Sequence, residues 1–321
     1  MELQKKIMEA IEITIQRTGW KRTVVMCRFG ISSSQISRWR REKTFRSNLV
    51  HPFRVLGEEI QKVINYRTST EENRDLGYRK LTWKMVDEDV VYLSESSIYR
   101  ILRLFKLLGR AFKENDGALK EYENKPKYVH HHWHTDIAYV ILGGVHYYLI
   151  FMLDGFSRFL LHWELMTDMS GASVEIFTQK TIDKYPEARP MVIHDNGSQF
   201  IGHDFKRILF ENNCTDVPTR MKHPETNGKA ERFVGLIRSE ALRPKSPSYY
   251  GEGLRVIEIF VDEYNNNRYH AGIGYLKPVD VFHGRGPAIL AERKVKLKRA
   301  RQERYEKNRE LNSILLEGLP A

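Results

Sequence analysis

The feature that most limits what this chain can fold into is a change of hydrophobic period near residue 130. From Trp133 to Leu142 the sequence alternates as a strand with two different faces does, and Val145 to Leu153 reads as a second strand. Between them Gly143-Gly144 supplies the two residues that a tight hairpin turn demands. Arg158 to Met166 fits a third strand. The period then becomes helical over Gly171 to Tyr185, a short buried strand follows at Met191 to His194, and helices fit near Phe200 to Asn212, Gly228 to Leu242 and Leu254 to Arg268. Three antiparallel strands followed by alternating helices and short strands require a mixed sheet flanked by helices, an α/β fold.

The N-terminal third is different. Two segments read as helix-turn-helix units. In the first, about Lys21 to Glu42, Val24, Val25 and Phe29 give one apolar face, and Gly30 tolerates a left-handed turn. Ser32 with Gln35 resembles a capping box opening a second helix, on which Ile36 and Trp39 face inward together. That leaves Ser33, Ser34, Ser37, Arg38, Arg40 and Arg41 outward, a set suited to base edges and phosphates. A small helical hairpin with a solvated basic face would look the same. The second unit, about Gly77 to Lys106, pairs a helix over Tyr78 to Val86 with one over Glu95 to Lys106. Ile98, Ile101, Leu102 and Phe105 are its stripe, and Ser96, Ser97, Tyr99, Arg100 and Arg103 are exposed. A linker bundle is the competing reading. Glu114 to Lys127 is polar and reads as a linker.

Composition agrees with a nucleic-acid partner. Across 321 residues the formal net charge is +11, with 41% apolar residues, enough for real cores. The stretch Glu292 to Glu310 alone carries nine Lys or Arg against four Glu, and reads as a basic helix or a partly ordered arm. Cys27 and Cys214 stand far apart, which argues against a disulfide framework or a Cys-rich zinc site. The longest strongly apolar run, Tyr147 to Leu153, is too short to span a bilayer, so a soluble, cytoplasmic protein is expected.

Three acids stand where acids are expensive or useful. Asp136 sits inside the first strand, where a carboxylate on a packed sheet needs a partner or a metal. Asp195 ends the short strand before Asn196-Gly197, at the carboxyl end of the sheet, where α/β sites gather. Glu231 lies at the margin of the stripe Ala230, Phe233, Ile237 and Ala241 on a helix opened by Asn227-Gly228. Brought together, three acids raise one another's pKa values, and hard divalent cations such as Mg²⁺ or Mn²⁺ relieve that repulsion. Two such ions about 3.5–4 Å apart serve in-line phosphoryl displacement.

The stretch Trp133 to Arg285 resembles the catalytic core of retroviral integrases and of the DDE transposases of bacterial insertion sequences. The resemblance rests on His-Asp-Asn-Gly-Ser-Gln-Phe at 194–200, on His-Pro-Glu-Thr-Asn-Gly-Lys-Ala-Glu-Arg-Phe at 223–233, and on the 35 residues between Asp195 and Glu231. Tyr264-Asn265 with Arg268, His270 and Tyr275-Leu276-Lys277-Pro278 resembles the end of the insertion-sequence type of core. It implies an RNase H-like fold, DNA cleavage at element ends and strand transfer. It also implies two Mg²⁺ or Mn²⁺ ions per site, with Asp136 bridging both and Asp195 and Glu231 holding one each. The partners implied are double-stranded DNA, as element ends and target, and a homodimer or larger assembly on paired ends.

Other residues read less sharply. His130, His131, His132 and His134 form a cluster, but neighbouring strand residues alternate faces and no cysteine completes a zinc site. Asp154 suits a turn role. Arg238, seven residues after Glu231, is either a phosphate contact or a surface salt bridge. The expected organisation is a helix-turn-helix domain at 1–45, a second at 46–112, a linker at 113–129, the catalytic core at 130–286 and a basic tail at 287–321. A DNA-binding regulator that no longer cuts, or a simple nuclease, are the alternatives to a transposase.

Overall fold

The computed structural model describes residues 2–40, 49–108, 125–219 and 227–317, so Arg41 and most of the expected linker lie outside the described residues. The chain divides into two compact units, residues 1–54 with 301–321, and residues 55–300.

The first unit holds α1 (Glu2–Thr18), α2 (Arg22–Arg28) and α3 (Ser33–Arg40). Ile11, Val25, Met26 and Ile36 make its small core. Gly30 takes a positive φ of 66°, and the capping box forms: Ser32 N–H donates to Gln35 Oε1 at 2.8 Å and Gln35 N–H to Ser32 Oγ at 3.2 Å. The expected face of α2 is corrected. Val24 and Phe29 are 46% and 41% exposed, because Ile11 and Ile36 cover only the Val25–Met26 side of this seven-residue helix. Backbone at Val50 exchanges hydrogen bonds with Asn312 of the C-terminal helix, and Asn308 donates to the Pro52 and Arg54 carbonyls.

The second unit opens with α4 (Gly57–Ser69), α5 (Glu71–Asp75), α6 (Tyr78–Asp87) and α7 (Glu95–Leu104), packed around Val63, Leu81, Met85, Leu93, Ile98 and Leu102. Ser94 Oγ caps α7 by accepting from Ser97 N–H. Phe105 does not join the stripe. It is 46% exposed, because α7 stops at Leu104 and the helical spacing ends with it.

Next comes the sheet: β1 (His132–Leu142), β2 (Val145–Asp154), β3 (Leu160–Met166), then α8 (Gly171–Lys184), β4 (Met191–His194), α9 (Ser198–Ile201), α10 (His203–Glu211) and β5 (Thr215–Pro218). There follow α11 (Gly228–Ile237), which continues through a wider turn at Arg238–Leu242 into α12 (Arg243–Lys245), α13 (Tyr250–Asn266), α14 (Pro278–Phe282) and α15 (Gly286–Glu317). The strand order is β3-β2-β1-β4-β5, antiparallel among the first three and parallel from β1 through β4 to β5. This mixed five-stranded sheet is the RNase H-like arrangement.

Both hairpin glycines take positive φ, 55° at Gly143 and 83° at Gly144, as a two-residue turn between twisted strands requires. Ala138, Val140, Leu142, Leu149 and Phe151 face α11 and α13 through Phe233, Ile237, Ile257 and Phe260. Trp133, Ile137, Ile150 and Met152 face α8 and α10 through Phe177, Phe205 and Leu209. Three expectations shift. The third strand starts at Leu160 because Arg158 adopts φ 65° in a turn, the helix expected over 200–212 breaks at Gly202, and β5 was not foreseen.

Candidate active site

β1 and β4 run in parallel, with His132 opposite Met191 and His134 opposite Ile193. Continuing that register by two residues sets Asp136 beside Asp195, just past the end of β4. Strand alternation puts Asp136 on the same face as Ala138 and Val140, the face that packs against α11. Asn227 anchors the start of that helix: it is buried, and its Nδ2 donates to the Thr135 carbonyl at 3.2 Å. Glu231 N–H donates to the Asn227 carbonyl at 3.1 Å, so the first turn of α11, which carries Glu231, is anchored at Thr135, next to Asp136.

Asp136 feels the other two carboxylates. Burial raises the Asp136 pKa from its usual 3.8 to about 6, the Ile137 N–H that it accepts at 2.8 Å opposes this, Asp195 and Glu231 push it further up, and Arg238 pulls it down. Asp136 is half-buried, whereas Asp195 and Glu231 are exposed. Asp195 Oδ1 accepts from Gly197 N–H at 3.1 Å. His194 fixes this corner from below. It is buried, with Nδ1 2.6 Å from the Asp195 carbonyl and Nε2 2.6 Å from Asp216 Oδ1 on β5. Among the described residues no three His, Cys, Asp or Glu side chains are already drawn close enough to hold a metal ion. The donors are all-oxygen and mutually repelling, which suits a hard divalent cation.

The other expected residues are placed as follows. Arg238 is half-buried and donates to the Tyr139 carbonyl at 3.3 Å. Ser96, Arg100 and Arg103 are exposed on α7, Ser97 is half-buried, and Arg100 Nε donates to the Ser96 carbonyl. Ser33 and Ser34 are exposed at the start of α3; the helix includes Ser37, Arg38 and Arg40. Among the described residues, none of Ser96, Ser97, Arg100 and Arg103 is seen to meet the carboxylates in a hydrogen bond or ion pair. Asp154 is fully buried in a turn, accepting from the N–H groups of His130 and Ser157 at 2.7 Å each and from Ser157 Oγ at 2.6 Å. His132 and His134 are buried on the Asp136 face, and burial lowers both pKa values, with Lys229 adding to the effect. Asn227 and His194 stood inside quoted motifs, but their positioning contacts run to Thr135 and Asp216, and only the fold shows those pairings.

Comparison with known proteins follows the same outline. Residues 126–224 and 212–278 match two family models, both described as integrase core domain. Residues 126–278 are thus similar to integrase core domains. Proteins similar to this chain include transposases of bacterial insertion sequences. It is 25% identical over 150 residues to the transposase of IS904 from Lactococcus lactis, a match covering 46% of this chain and 59% of that protein. It is 20% identical over 239 residues to the transposase of IS629 from Shigella sonnei, covering 70% of this chain and 78% of that protein. Among solved structures, the HTLV-2 integrase catalytic core domain in complex with magnesium aligns with TM-score 0.40 and 15% identity, over 49% of this chain and 98% of that one. Among the described residues no helix is long and apolar enough to cross a membrane.

Proposed function

We propose that this protein is a transposase that binds the ends of a mobile DNA element and catalyses their metal-dependent cleavage and strand transfer. The observation that supports this most directly is the β1–β4 register, which sets Asp136 beside Asp195 within the stretch similar to integrase cores, with Glu231 within electrostatic reach of Asp136. Asp136, Asp195 and Glu231 would hold Mg²⁺ or Mn²⁺, two ions per site, and the ions would activate the attacking oxygen and steady the leaving one. Asp136 would lie between the other two acids, its position set by β1. Asn227 holds α11 against β1 so that Glu231 faces the pair, and His194 holds the backbone on which Asp195 stands. Arg238, within electrostatic reach of Asp136, would meet a phosphate of the bound strand. Ser33, Ser34, Ser37, Arg38, Arg40 and Arg41 of the first helix-turn-helix segment, and Ser96, Ser97, Arg100 and Arg103 of the second, would read the DNA ends, with two or more copies assembled on paired ends.

The test incubates labelled DNA ends and a target plasmid with the protein and Mg²⁺. Joined products are expected. Cleavage without joining would make it a nuclease, and binding without either would make it a DNA-binding regulator.

A further inference from the structure

Of the three acids, Asp195 has the least secondary structure beneath it. β4 ends at His194, one residue earlier, and the Asp195 side chain is exposed. β5 supplies what the strand does not. Thr219 N–H donates to the His194 carbonyl at 2.9 Å, and Asn196 Nδ2 donates to the Thr219 carbonyl at 2.8 Å. The residues on both sides of Asp195 are thus tied to the chain just past the end of β5.

A third tie runs through a side chain. Val192 pairs with Asp216, and strand residues two apart share a face. Asp216 and His194 are therefore diagonal neighbours on the face that packs against α8 and α10. His194 Nε2 lies 2.6 Å from Asp216 Oδ1, and Nδ1 lies 2.6 Å from the Asp195 carbonyl oxygen. The ring is buried, with the Phe200 and Phe205 rings centred 5.3 and 5.2 Å away, so it has little room to turn aside. It acts as a rigid spacer whose far end is held by Asp216. Asp136, by alternation with Ala138 and Val140, faces the other way, towards α11.

We propose that Asp216 is a positioning residue for the metal site: from the opposite face of the sheet, through His194, it fixes the Asp195 carboxylate and sets how well the site accepts Mg²⁺ relative to Mn²⁺. The proposal rests on the reading of Asp136, Asp195 and Glu231 as metal ligands. Mg²⁺ demands near-ideal octahedral geometry at about 2.0–2.1 Å, and ligand distances have to hold to about ±0.2 Å. The larger Mn²⁺ tolerates a looser carboxylate. Freeing one end of the His194 spacer should therefore cost Mg²⁺ more than Mn²⁺.

Full-length wild type, Asp216→Ala and Asp216→Asn are compared, with Asp204→Ala, at an exposed position on α10, as the control. Mn²⁺ binding is read by electron paramagnetic resonance and Mg²⁺ binding by displacement of Mn²⁺. Strand transfer is measured in each metal on the same preparations. Asp216→Ala should bind Mg²⁺ about tenfold more weakly and Mn²⁺ less so, and the ratio of strand transfer in Mg²⁺ to that in Mn²⁺ should fall. Asp216→Asn, which keeps an acceptor oxygen for the ring, should lose less. Unfolded protein contributes under neither metal, so a loss of stability alone leaves the ratio unchanged. Wild-type affinities and ratio in every Asp216 variant that folds would overturn the role of Asp216 while leaving the transposase reading intact. A wild-type protein that binds neither ion and joins no ends would overturn both.

Discussion

At the scale of single residues, Asp136 shows what the site costs the fold. Its folded pKa of about 6 lies above the usual 3.8, so the folded state binds the proton more tightly than the unfolded one. Below the usual value the group is neutral in both states and costs nothing. As pH rises towards its folded pKa the penalty grows, and above that it is constant. Asp136→Asn should therefore be more stable than the wild type at neutral pH by about 1–3 kcal/mol, with no difference in strong acid. Thermal melts in a chelator across pH would show it; equal melting points at neutral pH would mean that the carboxylate is not under strain. The same variant, like Asp195→Asn and Glu231→Gln, should bind DNA but lose strand transfer by more than about a hundredfold, with combined losses that do not add. A folded Glu231→Gln protein with full strand transfer would end the assignment. The three acids were legible in the sequence because each stands in a local pattern: mid-strand, strand end, helix margin. The contacts of Asn227 with Thr135 and of His194 with Asp216 were not, since only the fold brings those pairs together.

At the scale of elements, Arg293 ties α6, α15 and the loop at Gly274–Tyr275 together. Arg293, only 3% exposed, forms a bidentate pair with Asp87 at 2.8 and 2.7 Å, lies 4.7 Å from the Trp83 ring centre, and donates to the Gly274 and Tyr275 carbonyls at 3.1 and 2.8 Å. Arg293→Ala would take from Asp87 its guanidinium partner, leaving it the Tyr269 hydroxyl, and from the two carbonyls an N–H donor. It should destabilise the second unit by about 3–5 kcal/mol, measured by urea unfolding, and Arg293→Lys should recover little because an ammonium cannot serve the same fork. A loss under about 1 kcal/mol would mean that the junction is held by other contacts. Helix and strand periods made the long elements readable, including the hairpin at Gly143 and Gly144. They failed at β5, whose four residues hold a proline and no alternation, and at Gly202, where one glycine divides an otherwise continuous helical pattern. The tail was read as basic, and it is a helix of 32 residues whose cations Arg293 and Lys296 are spent on Asp87 and Asp89.

At the scale of the whole molecule, the hydrophobic clusters respect the division into two units. Ile11, Val25, Met26 and Ile36 form a core wholly within the first, and the three larger cores lie wholly within residues 55–300. Among the described residues each buried apolar cluster belongs to one unit, and the junction made by Arg293 lies inside the larger unit. A fragment of residues 55–300 should therefore fold by itself and melt in one cooperative transition close to that of the full chain. Such a fragment keeps Asp136, Asp195, Glu231 and α7, and loses α3. It should then bind duplex DNA with a steep salt dependence and retain metal-dependent cleavage, while the preference for element ends over scrambled DNA contributed by Ser33, Ser34, Ser37, Arg38, Arg40 and Arg41 disappears. In the full chain, Arg38→Ala with Arg40→Ala should lower that same preference without shifting the melting point. The measurement compares specific and scrambled affinities for fragment, full chain and variant, with circular dichroism on each preparation. A folded fragment that distinguishes ends as well as the full chain does would move recognition to α7, and Arg100 and Arg103 would become the residues to replace. A fragment that aggregates or melts far below the full chain would show that the two units fold as one.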